Sequence, residues 1–320
     1  MQLGYTMLCE QTPAKQLVTD LVRAEELGFD FSVISDHYFP WVDEQGHSPY
    51  AWSVLGAAAQ ATTRIEMMTF VTCPTMRYHP AVVAQKAATV SLLSDGRFTL
   101  GLGAGENLNE HVIGRGWPSA DVRHEMLGEA IDVIGRLFDR GYVSYRGRHI
   151  SVDSAKLWDL PAERVAVAIA ASGDRSARLA AEHGDGLIAV SPDADVVNTF
   201  AAAGGAGKPA YGQVAVCYGP DHDEAASYAS RVWSWSAAGW KVMAELPGPA
   251  SFAAASASVR PEDIAKTVPC GPDPQPYLDA IRAYQEAGFT HVALVQVGAE
   301  RQDAFFDFAR AELLPALRHG

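Results

Sequence analysis

Four ionisable side chains in the first third of the chain follow short apolar runs and could do proton chemistry: Glu10, Asp36, His37 and Glu106. An imidazole beside carboxylates can take a proton from a reacting hydroxyl and return it, which is general acid–base catalysis. Three of these residues also have a structural interpretation. Asp36 suits a turn cap, His37 a hydrogen-bonded loop position, and Glu106 the acidic first turn of a helix. Their convergence at one place would indicate a catalytic site.

The segment GLGAGENLNE, residues 101–110, places three glycines between an apolar run and Glu106. Glycines at a strand end let a flat or anionic ligand approach the backbone, although such a pattern is also typical of packing and turns. Cys73, in the segment VTCPT, is interpreted as a small buried residue rather than a nucleophile, because no base stands beside it.

Eight short apolar runs alternate with amphipathic helical segments, and this alternation is typical of a parallel sheet covered by helices. The runs are Leu3–Leu8, Phe31–Ile34, Ile65–Val71, Phe98–Leu102, Val165–Ala170, Gly186–Val190, Gln213–Cys217 and Val292–Val297. They predict an α/β fold, a (β/α)8 TIM barrel forming one domain over residues 1–320. The rival, a doubly wound open sheet, would carry a glycine-rich loop after its first strand, and GYTMLCEQTP has none. In a barrel the four ionisable groups would meet at one mouth, because chemistry lies at the C-terminal strand ends.

Two intervals are too long for simple connections, and long loops in compact domains are usually lids or binding elements. The first insertion, about residues 107–161 after the fourth strand, contains a helical pattern over Arg123–Phe138 and the hairpin pattern YVSYRGRHISV. The second, about residues 235–274 after the seventh strand, is rich in proline, alanine and serine. Trp233 and Trp240 share a helical face by their spacing and are expected in a substrate pocket, with core or lid positions as alternatives.

The composition argues against several function classes. Among 320 residues, 38 acidic and 25 basic side chains give a formal net charge of −13, which disfavours nucleic acid or an anionic membrane as a partner. No apolar stretch approaches the ~20 residues that span a bilayer, and the N-terminus lacks a signal-peptide pattern. The cysteines form no CxxC pair, so neither a metal site nor a disulfide framework is indicated. These features predict a soluble cytoplasmic protein.

Three motifs in order along the chain resemble the luciferase-like oxidoreductases: SDHYFPW after the second strand, CPTMRYHPAVVAQ after the third and GLGAGENLNE after the fourth. Within that family they are similar to the branch that uses the deazaflavin coenzyme F420, typified by the F420-dependent glucose-6-phosphate dehydrogenases. The likeness covers nearly the whole chain, including IAASGDRSARLAAEHGDGLI after the first insertion. It implies a deazaflavin ring across the barrel mouth, with room left by the glycine-rich end of the fourth strand.

The resemblance also implies which residues contact the coenzyme. The Phe70–Val71 link is expected to be a non-proline cis peptide behind the ring. The Ser172–Gly173 turn opens a helix, which suits the phosphate of the coenzyme tail. The full set implied for cofactor binding is Asp36, Phe70, Val71, Thr72, Cys73, Gly105, Asn109, Ser172, Gly173, Asp174 and Arg175.

Four residues have catalytic roles by the same resemblance. His37 faces the substrate hydroxyl as a base and Glu106 faces the coenzyme as a proton donor, and the two exchange roles in the reductive direction. Trp41 packs on the reacting centre, and Glu10 hydrogen-bonds His37 or the substrate. The implied reaction is hydride transfer between the deazaflavin and a small-molecule substrate, for which the protein supplies orientation and polarisation.

The chain departs from the sugar-phosphate members of the family in its cations. Where those members hold the substrate phosphate with two lysines and an arginine, this chain has Asp193, Met243 or Ala244, and Thr267. A phosphate dianion would lose several charge-assisted hydrogen bonds here. The expected substrate is therefore a neutral alcohol or carbonyl compound, or an imine or enone, rather than glucose 6-phosphate.

Three other interpretations fit parts of the pattern. An FMN-dependent monooxygenase of the luciferase type would use the same fold with another cofactor. A TIM-barrel hydrolase would use Glu10 and Glu106 as paired acids, which leaves the glycine pattern unexplained. The third is a non-catalytic binder. The family likeness also implies a homodimer.

Overall fold

The computed structural model describes residues 1–319 and contains ten β-strands, eight of which close into a parallel barrel. In chain order the strands are β1 (Gln2–Met7), β2 (Phe31–Ile34), β3 (Glu66–Thr69), β4 (Phe98–Leu102), β5 (Val143–Arg146), β6 (Ser151–Ala155), β7 (Ala166–Ala170), β8 (Gly186–Ile188), β9 (Ala210–Val216) and β10 (His291–Gln296). The order around the barrel is β1, β10, β9, β8, β7, β4, β3, β2. The predicted TIM-barrel fold is confirmed.

The barrel strands form because their apolar side chains are buried on both faces of the sheet. On the inner face one cluster fills the centre with Phe31, Val33, Met68, Ala168, Ile188, Tyr211 and Ala293. Outside, the strands pack against helices in a much larger apolar cluster. The barrel is therefore a packed core, and the strand ends are the place where a ligand can bind.

Fourteen α-helices, joined in places by short 3₁₀ or π turns, complete the described residues. They are α1 (Ala14–Leu27), α2 (Ala51–Ala61), α3 (Pro80–Leu93), α4 (Asn107–Glu110), α5 (Ala120–Phe138), α6 (Asp174–His183), α7 (Ala194–Phe200), α8 (His222–Val232), α9 (Trp240–Met243), α10 (Pro249–Ala255), α11 (Pro261–Ile264), α12 (Gln275–Glu286), α13 (Gln302–Phe308) and α14 (Leu314–His319). Helix α1 is typical: Leu17, Leu21 and Ala24 line its buried face, and Gly28 ends it with φ +87°.

Two long segments interrupt the alternation of strands and helices. Between β4 and β7 lie α4, α5 and the β5–β6 hairpin, which contain the helix and hairpin that the sequence predicts. Between β9 and β10 lie α8 to α12. The second segment packs onto the carboxyl ends of β1, β9 and β10 through a cluster that includes Leu8, Cys217 and Val297. No helix within residues 1–319 is long and apolar enough to cross a membrane.

Candidate active site

A cavity of about 310 Å³ opens at the carboxyl ends of β2, β3, β4, β7 and β8. Ten of the residues that the sequence predicts for the site lie on its wall: Asp36, His37, Phe70, Val71, Cys73, Gly105, Glu106, Asn109, Ser172 and Trp240. They come from distant parts of the chain and meet because parallel strands end at the same rim. Glu10, Trp41 and Thr72 lie behind this wall, in contact with residues that line it.

His37 lies between two carboxylates at the mouth of the cavity. Its Nδ1 is 3.2 Å from Glu10 Oε1 and 3.2 Å from the carbonyl oxygen of Phe39. Its Nε2 is 3.5 Å from Glu106 Oε2. Glu10 is buried, and its other carboxylate oxygen accepts a hydrogen bond from the Ser35 hydroxyl. A proton on Nδ1 faces both acceptors and leaves Nε2 free to accept a second proton on the cavity side.

Glu106 is held in place by Asn109, whose Nδ2 donates a hydrogen bond to Glu106 Oε2 at 3.1 Å. Burial raises the pKa of Glu106, with Glu10 adding to the rise and His37 opposing it. Asn109 Oδ1 accepts from the backbone N–H groups of Tyr38 and Phe39 at 2.8 and 3.3 Å. One amide therefore fixes both Glu106 and the loop that carries His37. Contact of Asn109 with a coenzyme stays a prediction.

Trp41 packs against His37 and does not line the cavity. Its ring centroid is 4.9 Å from that of His37, and its other face stacks on Trp235 at 4.1 Å with an interplanar angle of 7°. Trp41 is only 6% exposed. The second inserted segment thus supports His37 through a pair of stacked indoles.

The two tryptophans expected in the substrate pocket have different positions. Trp240 lies on the cavity wall and is 40% exposed. Trp233 is wrongly predicted as a pocket residue, because it is buried against Trp235 in the core of the second inserted segment. Trp233 and Trp240 do not share a helical face, because the helix does not continue through Gly239, which lies between them with φ +74°.

The Asp36 carboxylate is enclosed by donors from the protein. Its two oxygens accept from Trp52 Nε1 at 3.0 Å, Thr72 Oγ1 at 2.7 Å, Tyr78 OH at 3.1 Å and Arg77 Nη2 at 3.2 Å. Its side chain has no exposed area. The carboxylate therefore anchors the ends of β2 and β3 to each other, and its contact with a coenzyme stays a prediction.

The Phe70–Val71 peptide bond is cis, as the resemblance implies. The glycines at the end of β4 and just after it allow close packing against this bend: a Cβ on Gly101 would stand 1.9 Å from the Thr69 carbonyl oxygen, and one on Gly103 would stand 2.5 Å from Val71 Cγ2. Gly105 has φ +86°, and a Cβ there would stand 2.5 Å from Cys73 Sγ. The glycines thus make room first for neighbouring protein atoms, which lets Val71 border the cavity.

Cys73 is a small buried residue, as its sequence context predicts, and its contact with a coenzyme stays a prediction because it also lines the cavity. Its thiol contacts Thr75 Oγ1 at 3.1 Å, and burial raises the pKa of that thiol well above its ordinary value. A thiol in this state is a poor nucleophile.

Helix α6 begins beside the cavity, where Ser172 and Ser176 line the wall. Gly173 is its N-cap residue, and no atom lies within 4 Å of the place where a Cβ would stand. The first N–H groups of a helix have no partner within it and favour an anion. Asp174 and Arg175 follow outside the wall, and Arg175 is exposed and paired with Asp121. Arg175 is thus directed to a surface carboxylate rather than to the cavity.

Four polar cavity residues have no role in the sequence predictions: Glu110, His124, Ser176 and Ser191. Glu110 accepts from the Arg77 backbone N–H at 2.7 Å, and its Oε1 is 3.5 Å from Arg77 Nε. Burial raises the pKa of Glu110 to about 7, although Arg77 opposes the rise. The sequence carried one signal for Glu110: it lies four residues after Glu106, and helical residues at that spacing share a face. His124 comes from α5, and its approach to the cavity depends on long-range packing.

The two inserted segments meet over Glu106. Asn107 donates its backbone N–H to the Ala244 carbonyl at 3.0 Å and its side-chain amide to the Glu245 carbonyl at 2.9 Å. The buried Arg123 guanidinium reaches Glu245 Oε1 at 2.8 Å. These contacts join the first inserted segment to the second, and one residue of each segment, His124 and Trp240, lines the cavity. We call the two joined segments the roof of the cavity.

Comparison with known proteins identifies the family. The model of the family described as luciferase-like monooxygenase matches residues 1–291. The chain belongs to this family. Relatives of this luciferase-like protein include an F420-dependent glucose-6-phosphate dehydrogenase of Beutenbergia cavernae, 36% identical over 99% of this chain and 98% of the relative. An F420-dependent hydroxymycolic acid dehydrogenase of Mycobacterium tuberculosis is 35% identical over 99% of this chain and 88% of the relative.

Solved structures agree with this placement of the luciferase-like protein. An F420-dependent secondary alcohol dehydrogenase, in complex with an F420–acetone adduct, matches with a TM-score of 0.88 and 28% identity over 97% of each chain. An F420-dependent tetrahydromethanopterin reductase of Methanopyrus kandleri matches with a TM-score of 0.77 at 20% identity, which shows the shared fold alone.

Proposed function

We propose that this protein is an F420-dependent oxidoreductase that transfers a hydride between the deazaflavin and a neutral alcohol or carbonyl compound, or the related imines and enones. The observation that carries the proposal is the His37 imidazole held between Glu10 and Glu106 at the cavity mouth. Relatives that are 36% and 35% identical are named for F420, which favours the deazaflavin over FMN.

The cavity residues fit a flat ring with an anionic tail. Phe70, Val71 and Gly105 would border the ring, because all three line the cavity. Ser172 and Gly173 would hold the tail phosphate, because open space adjoins Gly173 at the start of α6. When bound, the deazaflavin supplies a site that accepts or donates hydride, two electrons at a time.

His37 moves the proton of the substrate hydroxyl. In alcohol oxidation Nε2 accepts that proton while Nδ1 keeps its own proton toward Glu10, so the buried carboxylate stabilises the imidazolium. In carbonyl reduction the imidazolium returns the proton through Nε2. A positioned acid or base of this kind contributes about 10²–10⁴ in rate.

Glu106 holds the second proton of the reaction, on the side of the coenzyme, whereas His37 moves that of the substrate hydroxyl. Burial raises its pKa, so its carboxyl retains a proton closer to neutral pH than an exposed glutamate does. Asn109 fixes Oε2 at 3.1 Å and leaves Oε1 for the donor role. Trp41 and Trp235 exclude water behind His37, because their stacked rings are buried.

The absence of cations on the cavity wall supports a neutral substrate. Within residues 1–319, no lysine or arginine is on the wall, whereas Asp193 is. The Asp193 carboxylate caps α7 by accepting from the N–H groups of Asp195 and Val196 at 2.9 and 3.3 Å. Met243 is buried, and Lys266 is paired with Asp263. A phosphate dianion would meet carboxylates here.

Two assays test the function. Fluorescence titration compares the affinities for F420 and FMN, and initial rates are then measured with F420 and secondary alcohols, or reduced F420 and the matching ketones. We expect tighter F420 binding and turnover that His37→Ala and Glu106→Ala abolish, with Tyr38→Phe, an exposed neighbour, as the unaffected control. Tighter FMN binding, hydrolysis without a redox cofactor, or preference for glucose 6-phosphate over glucose would contradict the proposal.

We also propose that the protein is a homodimer and that it is cytoplasmic. Val82, Leu92 and Leu93 on α3 are 45%, 42% and 39% exposed, which gives this helix an apolar outer face suited to a second copy. The acidic, disulfide-free chain is typical of a reducing compartment. Light scattering coupled to size-exclusion chromatography tests the dimer: a mass of one chain for the native protein would refute it. Fractionation of the source cells tests the location.

A further inference from the structure

The ammonium of Lys86, on α3, is buried and has no hydrogen-bond partner among the described residues. It lies instead over three aromatic rings, 3.3 Å from the centroid of Tyr78, 5.0 Å from that of Tyr50 and 5.4 Å from that of Trp52. The negative faces of aromatic rings attract a cation, most strongly where water is excluded. Lys86 is therefore a positive charge held in an aromatic cage.

Two rings of the cage are also donors to Asp36. Tyr78 OH donates to Asp36 Oδ1 at 3.1 Å, and Trp52 Nε1 donates to Asp36 Oδ2 at 3.0 Å. A cation over a ring withdraws electron density from it, so the O–H and N–H groups become stronger donors to the carboxylate. Lys86 thus acts on Asp36 through the two rings as well as through space.

The cage also balances the charge of a buried cluster. Arg77 lies between Asp36 and Glu110, with Nη2 at 3.2 Å from Asp36 Oδ1 and Nε at 3.5 Å from Glu110 Oε1. These three groups carry two negative charges and one positive charge. Lys86 supplies the second positive charge, which makes the four-residue cluster neutral when all are ionised. This balance offsets part of the cost of burying the Lys86 charge.

The charge of this cluster responds to pH near neutrality. Burial lowers the pKa of Lys86 to about 8, with Asp36 opposing the change and Arg77 adding to it. Burial also raises the pKa of Glu110 to about 7. Asp36 and Arg77 are the charged groups that face Lys86, and Tyr50 and Tyr78 are the titratable rings around it.

We propose that Lys86 is a positioning residue of the acid–base site: its caged ammonium fixes the Asp36 carboxylate, which sets the loop that carries His37. Asp36 precedes His37 directly, and its backbone carbonyl accepts from Arg77 Nη2 at 2.7 Å while its side chain holds Thr72. Loss of the charge therefore loosens the backbone from which the imidazole projects. The link to catalysis rests on the proposed function, whereas the coupling of Lys86 to Asp36 does not.

The first test compares Lys86→Met, which removes the charge and keeps the stem, with Lys86→Arg, which keeps the charge. Gln85→Met, an exposed neighbour on α3, is the control. We expect Lys86→Met to lower kcat by about 3- to 30-fold at neutral pH, the range of a desolvated cation–π contact. The native rate falls as Lys86 loses its proton above about pH 8, and Lys86→Met lacks this fall. Lys86→Arg should move this fall in rate to higher pH.

A merely structural role would give another pattern. Because the pKa of Lys86 is lowered in the folded protein, its charge opposes folding at neutral pH. The unfolding temperature of Lys86→Met at neutral pH is therefore expected to equal or exceed that of the native protein. A clearly lower unfolding temperature, or native pH profiles in both variants, would overturn the proposal.

The second test needs no coenzyme. In protein labelled with ¹³C at lysine Cε, the signal that Lys86→Met removes is expected to titrate near pH 8. Asp36→Asn removes the opposing charge and should shift that titration to lower pH. A Lys86 signal that titrates at the ordinary lysine pH, or that ignores Asp36→Asn, would overturn the coupling. These outcomes are separable from a failure to bind F420, which would refute the proposed function alone.

Discussion

Replacement of Asn109 by aspartate tests how the site holds Glu106. The amide donates to Glu106 Oε2 at 3.1 Å, and its oxygen accepts from the backbone N–H groups of Tyr38 and Phe39. Aspartate keeps the shape and the acceptor, but it places a second carboxylate against Glu106. Two unit charges 3.1 Å apart repel by about 5 kcal/mol at an effective dielectric constant of about 20. The two carboxyls must then share a proton and titrate as a pair.

The shared proton gives the variant a measurable pH dependence. If the full repulsion of about 5 kcal/mol opposed ionisation of the second carboxyl, the pKa of that carboxyl would rise by nearly 4. The Glu106 side chain is 16% exposed, and solvent reduces the effect, so we expect the upper apparent pKa to rise by at least about 1 unit. Under the proposed function Glu106 gives up its proton in alcohol oxidation. Because that proton stays to higher pH in the variant, the fall in the alcohol oxidation rate with rising pH moves up by the same amount.

The assay measures kcat for alcohol oxidation at saturating oxidised coenzyme across the neutral and alkaline range. Glu106→Gln has no carboxyl to titrate, so at a much lower rate it should lack the fall assigned to Glu106 and keep only the fall above about pH 8 assigned to Lys86. Infrared spectroscopy of Asn109→Asp should show a protonated carboxyl band at a pH where the native protein has none. A pH profile of Asn109→Asp identical to that of the native protein, or a profile of Glu106→Gln identical in shape to the native one, would refute the assignment of Glu106 as the proton donor.

Three further outcomes are expected. His37→Gln should lower kcat by about 10²–10⁴ while coenzyme affinity, measured by fluorescence titration, stays unchanged; weaker binding alone would contradict the role of a base. Gly103→Ala should lower both the unfolding temperature and coenzyme affinity, because its Cβ would stand 2.5 Å from Val71 Cγ2, whereas Gly116→Ala has open space and is the control. Folding raises the pKa of Glu110 from 4.5 to about 7, so the native protein binds this proton more tightly and its free energy of unfolding falls as pH rises through that window. Urea unfolding at a series of pH values should show this slope, at most about 1.4 kcal/mol per pH unit, and Glu110→Gln should flatten it.

The barrel and the meeting of Glu10, His37 and Glu106 could be predicted because both follow from local patterns. Each apolar run marks a strand, and parallel strands in a closed barrel end at one rim. Each residue that directly follows a run is therefore brought to that rim without knowledge of any long-range contact.

Contacts made across the chain were not predictable in the same way. The donors to Asp36 come from α2 and from the loop between β3 and α3, and no spacing rule relates those segments to β2. Trp233 failed as a pocket prediction because its direction depends on the turn at Gly239 and on the core that the second inserted segment forms for itself. The glycines of β4 were correctly noticed, but their tight neighbours, such as Val71, are visible only once β3 is in place.

The roof of the cavity is made by two chain segments that lie outside the barrel, joined where Asn107 and Arg123 reach Ala244 and Glu245. His37, Glu106 and the cis Phe70–Val71 bond lie at the other side of the cavity, its floor, where the barrel strands end. Under the proposed function, exchange of roof residues such as Trp240 is therefore expected to change substrate selectivity and to leave hydride transfer in place. Substrate selectivity can then be engineered separately from hydride transfer: roof residues are randomised, the floor residues are kept, and the variants are screened for activity on new alcohols.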